Sequence, residues 1–381
     1  MIKILKNSLL LVLALNVYTA SAAITPNPTV PTIAAKSYIL QDFASGRIIA
    51  EQNAQQRLPP ASITKLMTAY VVSHELLAGN IALEDDVLIS EKAWRMVGSR
   101  SFIEVNTKVP VEVLLRGMII QSGNDAAVAL AEHIAGSEET FAQMMNQYAQ
   151  QLGMVDTNYR NSTGLPDSEH YTTAKDIAIL SAAIIRDFPV HYKWYAEKEY
   201  TYNNITQHNR NKLLWRDTTV DGLKTGHTEE AGYCLAASAK RSGMRLISVV
   251  LGTRSENARA QETQKLFNYG FRFFETHDLY KAGHQVTTSK IWKGSEKELA
   301  LGLAESLAVT VPRGRYKELV ATTNLQQPII APVTQGSVLG EVEIRLDNKI
   351  VAKQPLIALT SVEQGSWWRR ILDSILMLIW G

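Results

Sequence analysis

Ser62 stands three residues before Lys65 in the stretch PPASITKLMTAYVVSHELLAG, at the head of an apolar run. A serine hydroxyl is a poor nucleophile at neutral pH, and it attacks a carbonyl only with a base beside it and donors for the oxyanion that forms. On a helix, positions three apart share a face, so Lys65 can reach the Ser62 hydroxyl. A lysine used as a base must first give up its proton, which requires burial or neighbouring positive charge. The start of a helix also presents N–H groups that favour negative charge. The same letters fit a plainer arrangement, an N-cap serine followed by a solvated lysine, and one Ser-x-x-Lys match does not separate the two.

Two further triplets shift the balance. Ser122-Gly123-Asn124 falls between two predicted helices, and Lys224-Thr225-Gly226 opens a strand-rich segment. A second Ser-x-Asn, Ser255-Glu256-Asn257, lies after the Lys-Thr-Gly and reads as a helix start. The informative feature is the ordered trio, with each member at the boundary of an element. That set of serine and lysine motifs is shared by serine β-lactamases and penicillin-binding proteins.

The elements that must position these groups follow from periodicity. SYILQDFASGRIIAEQN alternates around Ala44-Ser45-Gly46 as a hairpin. From Ile63 to Leu77 apolar residues recur at steps of three and four until Gly79-Asn80. Helices are predicted at Val111 to Ile120, Asp125 to Ala135, Glu138 to Leu152, Ala174 to Arg186 and Glu256 to Glu275. Strands are predicted at Tyr233 to Ala239 and Arg245 to Leu251. Strands at both ends with helices between them predict an α+β fold, one antiparallel sheet backed by a helical block, as catalytic domain over residues 36–283. Short β runs with turns such as Asp347-Asn348 predict a small all-β domain over 284–362.

The ends of the chain carry their own signals. Lys3 and Lys6 precede the apolar run Leu9 to Leu15, and Ala20-Ser21-Ala22 supplies a cleavage pattern, so residues 1–22 read as a secretory signal and 23–35 as a linker. Cleavage after Ala22 takes the formal charge from +2 to 0, which gives no global attraction for nucleic acid. Residues 363–381 read as an amphipathic helix. Trp368, Ile371, Leu372, Ile375, Leu376 and Ile379 share one face, and Arg369, Arg370, Asp373 and Ser374 share the other. This segment is too short and polar to span a bilayer and reads as an interfacial anchor whose arginines meet lipid headgroups; docking on the β domain or at a dimer contact is the alternative. The single cysteine, Cys234, reads as a packed thiol. His170, His208 and His227 lack ligand spacing, so solvent-facing or hydrogen-bonding roles are expected, with no metal and no cofactor.

The whole chain resembles the membrane-anchored D-alanyl-D-alanine carboxypeptidases, low-molecular-mass penicillin-binding proteins that trim peptidoglycan stem pentapeptides. The resemblance is carried by PASITKLMTAY, LLRGMIIQSGNDAAVALAEHIAG, YTTAKDIA, NRNKLLW, VDGLKTGHTEEAGYCLAASA, FNYGFRFFET and VPRGR. It implies that Ser62 forms an acyl-enzyme with Lys65 as base, that Ser122 relays a proton to the leaving amine, and that Asn124 holds the substrate and helps place Lys65. It implies that Lys224, Thr225 and Arg210 bind the terminal carboxylate, and that the backbone N–H groups of Ser62 and His227 form the oxyanion hole. A side chain at Gly226 would obstruct an extended peptide lying along the strand. Asp176 matches a family aspartate but reads equally as a helix-end charge. The resemblance further implies covalent inhibition by β-lactams and residence on the periplasmic face of the bacterial inner membrane, with the oligomeric state open.

Three rivals share features with this reading. A class A β-lactamase carries Ser-Asp-Asn and a deacylating glutamate, whereas Gly123 stands here and no matching glutamate motif is found. A DD-endopeptidase of cross-links uses the same trio. A non-catalytic peptidoglycan-binding envelope protein would not be expected to keep every chemical group in order.

Overall fold

The computed structural model describes residues 29–380, so the signal-peptide reading lies outside the described residues. Residues 29–35 form no helix or strand, but they are not a free tether. Ile33 is buried in a core cluster and the Ala34 N–H donates to Glu262 Oε2 at 3.1 Å.

The central sheet has five antiparallel strands in the order Ile48–Gln52, Ser37–Asp42, Met244–Thr253, Gly232–Arg241 and Val220–Thr228. The N-terminal hairpin therefore joins the C-terminal strands, with Ser37 opposite Leu251 and Ile39 opposite Val249. Side chains alternate faces along a strand. Ile247, Val249 and Leu251 enter the core shared with the helical block, while Leu246 and Val250 enter the core under Glu256–Phe273. Each fully buried aliphatic contributes about 1.5–3 kcal/mol.

The helical block comprises Val111–Ile120, Asn124–Ala135, Glu138–Gln151 and Ala174–Asp187 around a central helix, Lys65–Leu77. Every residue from Lys65 to Ser73 is buried, so the first half of that helix has no solvent face. Its periodic apolar stripe continues only outwardly to Leu77, which is exposed. The long helix from Glu256 stops at Phe273 rather than Glu275. Phe274 turns extended, packs against Tyr269 and begins a strand, Phe274–Tyr280, paired with Leu307–Pro312. Strand pairing overrides local helix propensity at this point.

The C-terminal β region holds a six-stranded sheet in the order Val320–Leu325, Val338–Leu346, Lys349–Ala358, Glu298–Gly302, Gln285–Trp292 and Ile329–Ile330. Asp347 and Asn348 take positive φ in its tight hairpin, as a two-residue turn requires. The tip of the N-terminal hairpin ties this region to the sheet: Thr276 Oγ1 donates to Asp42 Oδ2 at 2.7 Å and Arg47 Nη1 to the Thr310 carbonyl at 2.6 Å.

The terminal helix, Trp367–Trp380, exposes Trp367, Trp368, Ile371, Leu372, Ile375, Leu378 and Ile379. No helix among the described residues is long and apolar enough to cross a membrane. Its polar face corrects the expectation for the paired arginines. Arg369 donates to the carbonyls of Ser295 and Glu296 at 2.9 and 2.6 Å, and Asp373 accepts the Lys293 N–H. Arg369 is thus committed to the β region, and Arg370 is the exposed member of the pair.

Candidate active site

Ser62 lies in a 3₁₀ turn, Ala61–Thr64, and Lys65 is the first residue of the α-helix that follows. Ser62 is therefore one turn ahead of the α-helix start rather than at it. In a 3₁₀ turn residues three apart eclipse, which aligns the two side chains more closely than an α-helical step would. Lys65 Nζ sits 3.0 Å from Ser62 Oγ.

The surroundings of that amine define its chemistry. Lys65 is 1% exposed, and Nζ also contacts Asn124 Oδ1 at 2.7 Å and the Thr163 carbonyl at 2.6 Å. Burial pulls its pKa down to about 7; Arg210 pulls the same way, while Asp125 and Glu138 oppose. A neutral amine has two N–H donors and one lone pair. The Asn124 and Thr163 oxygens can only accept, so both donors are spent on them and the lone pair faces the one partner able to give a proton, Ser62.

Asn124 begins the Asn124–Ala135 helix. Its amide is oriented by Nδ2 donating to the Val97 carbonyl at 2.6 Å, and its own N–H donates to the Ser99 carbonyl. Ser122, with positive φ, is nearly buried and lines the same cavity. Between them Gly123 is enforced by packing, because a Cβ there would overlap Ser101 Oγ. The Ser101 N–H in turn donates to the buried Asp125 carboxylate at 2.8 Å, fixing the loop that forms this wall.

The opposite wall is the Val220–Thr228 strand, an edge strand whose one strand neighbour among the described residues is Gly232–Arg241. Lys224 is buried, with Nζ 3.3 Å from the Thr225 carbonyl. Burial holds its pKa well below the usual lysine value, with Lys65, Arg210 and Arg259 adding to the effect. The reason for Gly226 differs from the expected one. A Cβ there would lie 2.9 Å from the Pro60 carbonyl oxygen and 3.1 Å from Ile63, so the glycine is needed where the strand abuts the turn that carries Ser62. The His227 ring is exposed and stacks on Tyr233 at 3.9 Å, away from the hydrogen-bond network. Arg210 lines the cavity, with its Nη2 3.2 Å from the Gln121 amide oxygen once that amide is turned to satisfy both its neighbours.

Ser62, Ser122, Asn124, Arg210, Thr225, Gly226 and His227 therefore meet in one cavity of about 170 Å³, with Lys65 and Lys224 buried beneath it. Three contributors were not read from the sequence. Thr163 and Gly164 come from a loop with no periodic signal, and Arg259 from a helix read only for packing; Arg259 Nη1 donates to the Gly226 carbonyl at 3.2 Å. Asp176 stands outside the cavity, buried, and accepts from Thr157 Oγ1 and the Asp156 N–H, with burial raising its pKa. His170 is buried and hydrogen-bonded to Thr64, and the Cys234 thiol is buried and pushed up to about 11. No grouping of residues suited to a metal occurs among the described residues.

Known proteins share this architecture. Residues 23–255 match the D-alanyl-D-alanine carboxypeptidase family of peptidases, and residues 274–364 match the penicillin-binding protein 5 C-terminal domain. The chain is 43% identical over 355 residues to D-alanyl-D-alanine carboxypeptidase DacC of Escherichia coli, covering 91% of this chain and 89% of that one. It is 41% identical over 379 residues to DacA of Haemophilus influenzae, covering 97% and 95%. Among solved structures, penicillin binding protein 5 from Haemophilus influenzae aligns with a TM-score of 0.86 at 44% identity, over 88% of this chain and all of that one. The ampicillin-bound form of penicillin-binding protein D2 from Listeria monocytogenes aligns with a TM-score of 0.59 at 30% identity, over 64% of this chain and all of that one.

Proposed function

The chain belongs to the D-alanyl-D-alanine carboxypeptidase family, and on that footing we propose that Ser62 is its nucleophile and Lys65 the base that activates it. The protein is a penicillin-sensitive serine carboxypeptidase acting on the terminal D-Ala-D-Ala of peptidoglycan stem peptides. The observation that carries the residue assignment is the environment of Lys65, whose two acceptor-only neighbours leave the lone pair for Ser62.

In this reading the substrate backbone lies along the Val220–Thr228 edge. Lys224, Thr225 and Arg210 receive the terminal carboxylate, and Asn124 the peptide amide. Lys65 takes the Ser62 proton as Oγ attacks the penultimate D-alanine carbonyl. The oxyanion rests on the N–H groups of Ser62 and His227. As the peptide C–N bond breaks, a proton passes from Lys65 through Ser122 to the leaving amine, and water then hydrolyses the ester.

The charge of the cavity favours this reading over a class A β-lactamase. None of its lining residues is a carboxylate, while Arg210 and Arg259 are cationic. Asp125 and Glu138, which lie near Lys65, are bonded to Ser101 and Ser162. No carboxylate therefore lines the cavity to activate a deacylating water, which supports a long-lived penicilloyl enzyme. Incubation with a pentapeptide muropeptide and a cross-linked dimer tests the reaction: release of D-alanine from the pentapeptide supports it, and cleaved dimers without such release overturn it.

We infer that the exposed apolar face of Trp367–Trp380 seats the exported enzyme on the periplasmic membrane surface, with Arg370 toward headgroups. Truncation before Gly365 should release active enzyme from membranes. Continued membrane association would place the anchor elsewhere.

A further inference from the structure

Three side-chain hydrogen bonds join the 156–172 loop to Thr64, Lys65 and Thr68, beside a backbone bridge between Thr172 and Leu58 at 2.8 and 2.9 Å. Lys65 Nζ donates to the Thr163 carbonyl at 2.6 Å, Thr68 Oγ1 donates to the Ser162 carbonyl at 2.7 Å, and His170 Nε2 lies 2.9 Å from Thr64 Oγ1. The first two hold the loop's middle. The third ties the returning limb, which the Leu58–Thr172 and Asn158–Tyr171 backbone pairs already anchor, to the turn that carries Ser62. Contact is so close at Gly164 that a Cβ would overlap the Ala61 carbonyl oxygen, so slack in this loop displaces the Thr163 carbonyl directly.

His170 is 3% exposed and stands edge-on to the Tyr159 ring, with centroids 5.6 Å apart. The Arg160 backbone N–H points at Nδ1 from 3.4 Å, so Nδ1 carries the lone pair. The ring proton then sits on Nε2, and Thr64 Oγ1 accepts it. One neutral imidazole thus links the outgoing limb, the returning limb and the residue adjacent to Lys65. An apolar side chain would fill the same volume without joining the three.

We propose that His170 is a positioning residue for acylation: by donating to Thr64 Oγ1 it holds the 156–172 loop against the catalytic turn, so that the Thr163 carbonyl keeps the Lys65 amine aimed at Ser62. This rests on Lys65 being the base. Burial keeps His170 neutral, lowering its pKa to about 4, with Arg160 and Lys65 adding to that and Asp167 opposing. Lys65 itself faces Asp125, Glu138, Arg210 and Lys224, and titrates at about 7. The two titrations are separate, so the acid limb of acylation reports Lys65. A slack loop admits water to Nζ and relieves the desolvation that lowers its pKa, which moves that limb to higher pH.

The test measures the rate of covalent labelling by a fluorescent penicillin across pH, alongside thermal stability, for His170→Ala, His170→Gln and Thr64→Val. His170→Ala and Thr64→Val should label about tenfold more slowly, the fold-change of one lost buried hydrogen bond, with the acid limb moved upward. His170→Gln, whose amide can still donate to Thr64, should recover most of the rate. Should His170→Ala fail to fold, Thr64→Val carries the test alone. Unchanged rate and limb in the alanine and valine variants would overturn the proposal. So would losses that track thermal stability equally in all three, glutamine included. Labelling that survives in Ser62→Ala would instead defeat the nucleophile assignment beneath it.

Discussion

Asn124 Oδ1 lies 2.7 Å from Lys65 Nζ, closer than the 3.0 Å that separates the amine from Ser62 Oγ. Asn124 therefore engages the amine more closely than Ser62 does, and in the proposed mechanism it holds the base. Placing a carboxylate there would pair with the lysine and stabilise its protonated form. Asn124→Asp is expected to slow acylation at neutral pH by at least tenfold, with recovery at higher pH as the lysine is forced to titrate. Penicillin labelling against pH checks this. Recovery that never comes would point to the lost Val97 contact instead.

With Lys65 held at about 7, the free base exists above that value and the ammonium below it. Acylation should rise through neutrality and level off on the alkaline side. Stability follows the same group: an unfolded lysine keeps its proton to about 10.5, so between the two values the unfolded chain binds more protons than the folded one. The Lys65 contribution to stability thus grows as pH rises from about 7 toward 10.5, and is at its least favourable below. An acylation rate flat across neutrality would refute the assignment.

Gly226→Ala sets a methyl group 2.9 Å from the Pro60 carbonyl oxygen, and backbone cannot give way as a flexible side chain can. Overpacking of this kind costs about 1–3 kcal/mol. Displacement of the Pro60–Ile63 turn should also slow acylation more than it weakens carboxylate binding. A variant with native melting temperature and rate would show that the turn yields.

Arg369 and Asp373 hold the terminal helix to the Lys293–Glu296 segment through backbone groups. Arg369→Ala combined with Asp373→Asn should leave catalysis intact and make the junction near Gly365 far more sensitive to protease in detergent solution. Equal resistance would mean that the apolar contacts alone dock the helix.

The trio of motifs that meets at the cavity could be read from the sequence because each motif is local: Ser62 and Lys65 need one turn, Ser122 and Asn124 one bend, Lys224 and Thr225 one strand end. The hairpin was legible from alternation, and its union with the C-terminal strands from strands standing at both ends of the domain with helices between them. What escaped was made across the chain. Thr163 contributes a carbonyl, which every residue has, and Arg259 reaches Gly226 from a helix whose pattern announces only its core face. Arg369 looked like a lipid contact because a helical wheel shows polarity and not partners. Phe274 continued a helical pattern until a strand 33 residues onward, beginning at Leu307, supplied its pairing.

Among the described residues the Val220–Thr228 strand has a strand partner on one side only, and such an edge ordinarily invites another molecule's sheet to add to it. Here the Pro60–Ile63 turn packs on the face of the strand at Gly226, and the cavity that Thr225, Gly226 and His227 line holds only about 170 Å³. A single extended peptide can slide into that gap edge-on, whereas a broad sheet cannot approach. The narrow space beside this edge thus suits one extended chain, where an open sheet edge would take another sheet.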